Sequence, residues 1–173
     1  DSREVGMLPR YCLYTQFFRD RVGRNPDEVA RWHSIMGPSF DHMHHYCWGL
    51  MKTNRALLLT RTQYFRMFYL NDAISEFDYV IRNATPNFVL LPEIHTKKGE
   101  NLIKAGKGPQ GVQDLQRAIE LKPDYWPPYA AISDYLKDLG DLSRAQEWLE
   151  KGLSASPDTK ALTRRLAELD GSK

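Results

Sequence analysis

Two stretches of the chain carry the same order of apolar and polar positions. Leu115-Gln116-Arg117-Ala118-Ile119-Glu120-Leu121-Lys122-Pro123 superposes on Leu149-Glu150-Lys151-Gly152-Leu153-Ser154-Ala155-Ser156-Pro157, and the two prolines lie 34 residues apart. A period of that length with helical spacing of the apolar residues predicts stacked antiparallel helix pairs. In the last unit Tyr129, Ile132 and Leu136 supply the large residues of a first helix, and Gly140-Asp141 supplies the turn. Two helices come close only where one side chain is small, and Gly99 and Ala145 stand at such places. Pro123 and Pro157 stop the second helices. Gly111 lies inside a second helix, where it weakens the helix by up to about 1 kcal/mol.

A longer unit precedes these. Tyr46-Cys47-Trp48-Gly49-Leu50 reads as part of a first helix, with Gly49 as its small residue, and Ala73 to Pro86 reads as the end of a second. The spacing predicts helices over about 41–59 and 63–84 joined at Thr60-Arg61-Thr62, each roughly 9 Å longer than in the other units. Residues 10–22 predict a helix ended by Gly23, and Asn25-Pro26-Asp27-Glu28 is a helix start whose helix runs to Met36 before Gly37-Pro38. At the other end Leu162, Leu166 and Leu169 share one face of a helix over Thr159–Leu169, opposite Lys160, Arg164, Arg165 and Glu168. That helix suits a cap on the last repeat.

These residues resemble the tetratricopeptide repeat, clearly over 92–159 and in degenerate form over 42–91. The resemblance implies an all-α solenoid of three helical hairpins with two N-terminal helices and a C-terminal capping helix. The segments are an extension over 1–40, a long hairpin over 41–91, repeats over 92–125 and 126–159, and a cap with its tail over 160–173. It also implies a concave groove lined by first helices. The family's inward positions fall on Tyr46, Leu50 and Asn54 in the first unit, Thr96, Lys97, Glu100 and Lys104 in the second, and Ala131, Asp134 and Lys137 in the third. The carboxylate-clamp subgroup of the family uses Lys and Asn at defined inward positions. Here Tyr46, Thr96 and Ala130, then Leu50, Glu100 and Asp134, occupy the corresponding places, so that function is not implied. The groove suits an extended or helical peptide, unless residues 1–36 fill it.

Composition narrows the classes further. The 173 residues hold 24 Lys+Arg against 22 Asp+Glu, and the charges balance locally, which is not the footprint of a nucleic-acid binder. No apolar run exceeds a few residues, Ala56 to Leu59 among them, far short of a membrane span. Asp41-His42-Met43-His44-His45-Tyr46-Cys47 is the densest set of metal-ligand types. On a helix, however, it assures only pairs, such as His42 with His45 and His44 with Cys47. Copper or zinc held by His42, His44 and His45, with help from His33 or His95, is therefore an alternative to packing roles for these rings. No Gly-x-Ser-x-Gly, His-Glu-x-x-His or phosphate-cradling glycine loop occurs. The expectation is a non-catalytic scaffold or assembly factor for a protein or peptide partner, without a cofactor. An enzyme built on Glu100 or Asp134 in the groove is a further alternative, and a homodimer is compatible.

Two features bear on compartment. Cys12 and Cys47 permit one disulfide, which would contribute about 3–4 kcal/mol in the chain-entropy account, or else two buried thiols. The chain opens at Asp1 rather than Met, as after removal of a signal peptide or at an artificial boundary. Together they lean towards a periplasmic or envelope location over a cytoplasmic one.

Overall fold

The computed structural model describes residues 2–22 and 25–171, and among these every regular element is helical. Short α1 (Ser2–Gly6), a 3-10 turn (Arg10–Tyr14) and α2 (Arg19–Val22) lead into α3 (Pro26–Met36). A second 3-10 segment, Gly37–His42, then opens α4 (Met43–Asn54), which passes through a π-helical turn (Arg55–Leu59) and is answered by α5 (Gln63–Asn83). Two shorter hairpins follow, α6 (Leu91–Lys104) with α7 (Gly108–Leu121) and α8 (Pro127–Asp138) with α9 (Leu142–Ala155), and α10 (Lys160–Asp170) closes the stack. Among the described residues the chain is the all-α solenoid of three hairpins that the resemblance implied. Shifting α7 by 34 positions gives the bounds of α9.

Local chemistry explains the boundaries. Asn25 accepts a hydrogen bond from the Glu28 amide at 3.1 Å, and Pro26 opens α3. Thr62 caps α5 through the Phe65 amide, and Asp141 caps α9 through the Arg144 amide. Gly106 and Gly140, also one period apart, adopt φ +77° and +80° at the ends of α6 and α8, a left-handed conformation open to glycine without penalty.

The N-terminal helix expected over residues 10–22 is broken. The Thr15 hydroxyl donates to the Cys12 carbonyl at 2.9 Å, and Phe17 takes φ +46°, which an α-helix cannot contain. The break lets Cys12 and Phe18 both turn inward onto Cys47 and Trp48. Gly23, the expected terminator, lies outside the described residues. Cys12 is joined to Cys47 with Cα atoms 5.8 Å apart, which pins this extension to α4.

Three contacts set the spacing within the hairpins. A Cβ on Gly49 would meet the Phe77 ring, and Ala145 is fully buried between α8 and α9. In the middle hairpin glycines face each other. A Cβ on Gly99 would lie 2.8 Å from the Gly111 carbonyl oxygen, and one on Gly111 would lie 2.7 Å from the Gly99 carbonyl oxygen. Gly111 is therefore the counterpart of Gly99 rather than a mere weak point in α7.

Two effects oppose each other at these glycines. Alanine would gain up to about 1 kcal/mol of helix propensity, while forcing backbones apart costs about 1–3 kcal/mol. Gly99→Ala and Gly111→Ala should each lower the melting temperature, and a rise in either, read by circular dichroism, would contradict the close approach. Cys12→Ser with Cys47→Ser should lower stability by about 4 kcal/mol, given the sequence separation of 35.

Candidate functional site: a mixed-charge groove

The inward faces of α6 and α8 and the side chain of Arg165 from α10 enclose an open cavity of about 440 Å³. Lys97, Glu100, Lys104, Ala131 and Asp134 line it, as the family's inward positions implied. Tyr125 and Trp126, between the second and third hairpins, form its aromatic wall. Lys97 donates to Glu100 at 3.0 Å, and Arg165 bonds Asp134 at 3.1 and 3.2 Å. Lys104 and Asp138 line the cavity without an ion pair among the described residues. Three cations thus face three anions.

Five expected groove residues do not reach this space. Tyr46 and Thr96 are fully buried, so neither meets a partner. The Tyr46 hydroxyl donates to Glu93, and the Thr96 hydroxyl returns to the Pro92 carbonyl at 2.8 Å. Leu50 packs into the core of the first hairpin, together with Tyr11, Tyr14 and Trp32 of the N-terminal extension. Asn54, half-buried on α4, is not part of the cavity wall. The extension therefore occupies the first unit's share of the groove and leaves the other two units open. Lys137 is exposed but lies beside the cavity, because one residue turns a helix by about 100°.

The period itself identifies what the mapping missed. Lys104 plus 34 is Asp138, and Ala131 plus 34 is Arg165, and both line the cavity. The capping helix thus continues the inward register of the repeats. Glu93 left no such trace. It joins the covered and open parts of the groove, beside Tyr11, Tyr46 and Tyr125. Burial, with the Glu93 and Glu100 carboxylates nearby, pushes the Tyr125 phenol up to about 12, so it remains a hydrogen-bond donor at neutral pH.

The histidines do not converge. His44 Nδ1 donates to the Asp41 carbonyl at 2.9 Å, His45 Nδ1 pairs with Glu76, and His42 meets the edge of Tyr79. His33 pairs with Asp41, His95 bonds Asp114, and Cys47 is committed to Cys12. Among the described residues no group of three His, Cys, Asp or Glu is placed to hold a metal ion. The rings named for the alternative metal site lie at the start of α4, where His44 and His45 stand 4.3 Å apart between centroids but hydrogen-bond to different groups, and His42 and His45 both contact Tyr79.

Elsewhere, ion pairs brace the helices within hairpins and between the first two. Lys98 on α6 reaches Asp78 on α5 at 2.8 Å and Asp114 on α7 at 3.0 Å, and Lys52 on α4 reaches Asp72 on α5 at 2.9 Å. Near the N-terminus Arg55 forms a two-pronged pair with Glu4.

Residues 127–159 match the tetratricopeptide-repeat family model. That segment, α8 with α9, is thus a tetratricopeptide repeat. The fold of the chain is similar to that of a thermophilic tetratricopeptide-repeat protein of Thermus thermophilus, with a TM-score of 0.64 and 17% identity over 83% of this chain and 70% of the other. It is also similar to the first such domain of Spaghetti (RPAP3), solved bound to an HSP90 peptide, with a TM-score of 0.50 and 18% identity over 72% of this chain and 94% of that one. Among curated proteins, a STIP1 homolog of Dictyostelium discoideum is 29% identical over 53% of this chain. Bacteriophage adsorption protein A of Escherichia coli is 41% identical over 34% of it. The chain spans 16% and 6% of those two proteins' lengths.

Two titrations follow from this geometry. Burial and the neighbouring His45 hold the His44 ring below its ordinary 6.5. A lowered folded value means that stability from the neutral ring is present above 6.5 and is lost as acid protonates it. In an NMR titration His44 should still be mostly neutral at pH 6.5, and half-protonation at or above that pH would contradict its placement. The Arg55 guanidinium holds Glu4 down at about 2, against 4.5 for a free side chain. The stability difference between the native chain and Glu4→Gln should be full above pH 4.5 and vanish as pH falls to about 2, as read by thermal melts.

Proposed function

We propose that this chain is a non-catalytic interaction module that holds a segment of a partner polypeptide between α6 and α8. The observation that carries the reading is the open cavity at the repeat period, with three cations, three anions and an aromatic wall. Its charges sum to zero, which favours a peptide carrying both signs over a polyanion. Tyr125 and Trp126 offer flat apolar contact with a polar edge, a combination enriched at protein interfaces. The Spaghetti domain solved with an HSP90 peptide lends support at the level of the fold. The clamp residues are replaced here, so the ligand would not be chosen by its terminal carboxylate.

The covered first unit has a role in this reading. The N-terminal extension closes one end of the groove, so a bound segment would lie across two repeats and end near Tyr11 and Glu93. A persistent Cys12–Cys47 disulfide would keep that end shut. Such a bond endures in oxidising surroundings, which favours a periplasmic or envelope location.

Exchanging the two unpaired groove charges tests the reading. Lys104→Glu with Asp138→Lys keeps the net charge and breaks no ion pair of the fold. Both sites lie at the C-terminal ends of their helices, where the dipole effects of the two changes, each about 0.3–1 kcal/mol, oppose one another. The melting temperature should therefore hold. Affinity for peptides selected on the native chain should fall about tenfold or more, as measured by calorimetry, because unlike charges become like ones. Equal affinity for native and exchanged chains would exclude the groove as the binding site.

A further inference from the structure

The first hairpin outreaches its neighbours, and its far end is apolar. Packing between the first two hairpins ends where Ala56, Leu70 and Ile74 meet Leu102 and Ala105, just before the turn at Gly106. The last polar tie at that level is Lys107 to Asn71, at 2.8 Å. From there the start of α5 runs on for two helical turns, about 10 Å. That projecting end exposes Leu57, Leu58, Leu59, Tyr64, Phe65 and Phe68, with Leu58 65% and Tyr64 74% accessible. Three consecutive leucines are spread about 100° apart on a helix, so the apolar surface wraps the end instead of lining one face.

At the base of this end Glu4 is paired with Arg55 beside Leu59, Arg61 and Phe65, and the charges carried by the tip itself are basic. Between Asp41 and Asp72 the chain contains no acidic residue. Arg61 and Arg66 are exposed and make no ion pair among the described residues. A concave protein site would have to enclose such a convex end from several sides, whereas a fluid bilayer closes around it. Interfacial segments bury apolar side chains about 5–10 Å into the headgroup and acyl boundary, which matches the projection. Phenylalanine and tyrosine favour that boundary, and arginine stems reach from it to lipid phosphates.

We propose that the tip of the first hairpin, residues 57–68, inserts into the headgroup region of an anionic lipid bilayer. The tip would lie in the interface, and among the described residues no helix is long and apolar enough to cross a membrane. The opposite, groove-bearing hairpins then face away from the lipid. This inference is independent of the peptide reading, because the two surfaces share no residue.

Cosedimentation with vesicles tests it. The native chain should bind vesicles of phosphatidylglycerol and phosphatidylcholine, 3:7, and should bind pure phosphatidylcholine far less. Arg61→Gln with Arg66→Gln should weaken binding to the anionic vesicles about 25-fold, fivefold for each arginine. Leu58→Glu with Phe65→Glu should abolish it while melting as the native chain does. If that second pair unfolds the chain, the arginine pair decides alone, since both side chains are solvent-exposed. No binding to anionic vesicles, or binding that both pairs leave intact, would overturn the proposal. A native dimer that Leu58→Glu with Phe65→Glu converts to monomer in gel filtration would also overturn it, and would assign the tip to a second copy of the chain.

Discussion

The geometry of the central hairpin rests on a contact between two backbones. Gly99 and Gly111 each stand where an added Cβ would press on the other's carbonyl oxygen. Helices packed through ordinary side chains sit about 8–10 Å apart, and a glycine pair brings them to the short end of that range. Everything lateral to that point follows. Leu115 packs directly against Gly99, and His95 and Lys98 of α6 reach Asp114 of α7. Lys97, Glu100 and Lys104 are left on the opposite side, facing the groove. The residues that build the cavity are therefore aimed by a contact they do not make.

The N-terminal extension changes what a three-hairpin solenoid offers. An unmodified array would present first helices along its whole concave side. Here Cys12–Cys47 and the packing of Tyr11, Tyr14, Val29 and Trp32 onto the first core seal one third of that side. Tyr46 becomes a core residue whose hydroxyl is spent on Glu93. The sealing also frees the first hairpin from groove duty. Its added length goes into a projecting tip, where six large apolar side chains stay in contact with solvent. One end of the molecule thus carries apolar and basic character, and the other a balanced polar groove.

The two surfaces differ in the physics that would govern them. At the groove, paired charges such as Lys97 with Glu100 are already satisfied, so in the proposed function discrimination would fall to Lys104, Asp138 and the aromatic wall. At the tip, apolar area and uniform positive charge act together without any fixed geometry. The first arrangement favours one sequence over another, and the second favours one kind of surface over another.

The amino-acid order alone determined the helical-hairpin architecture. The 34-residue period, the glycines and prolines at unit ends and the caps at Asn25 and Thr62 act over a few residues, and such local signals survive without knowledge of the fold. The period even contained Asp138 and Arg165, one repeat on from Lys104 and Ala131. Tertiary structure decided the rest. The break at Phe17 follows from the need to bury Cys12 and Phe18 on the same partner 35 residues away, which outweighs the helical preference of residues 10–22. The loss of Tyr46 and Leu50 from the groove, and the separate hydrogen-bond partners of His44 and His45, arise from which neighbours arrive. Sequence spacing places a side chain on a helix face, but only the packed chain determines whether that face meets solvent, a disulfide or another helix.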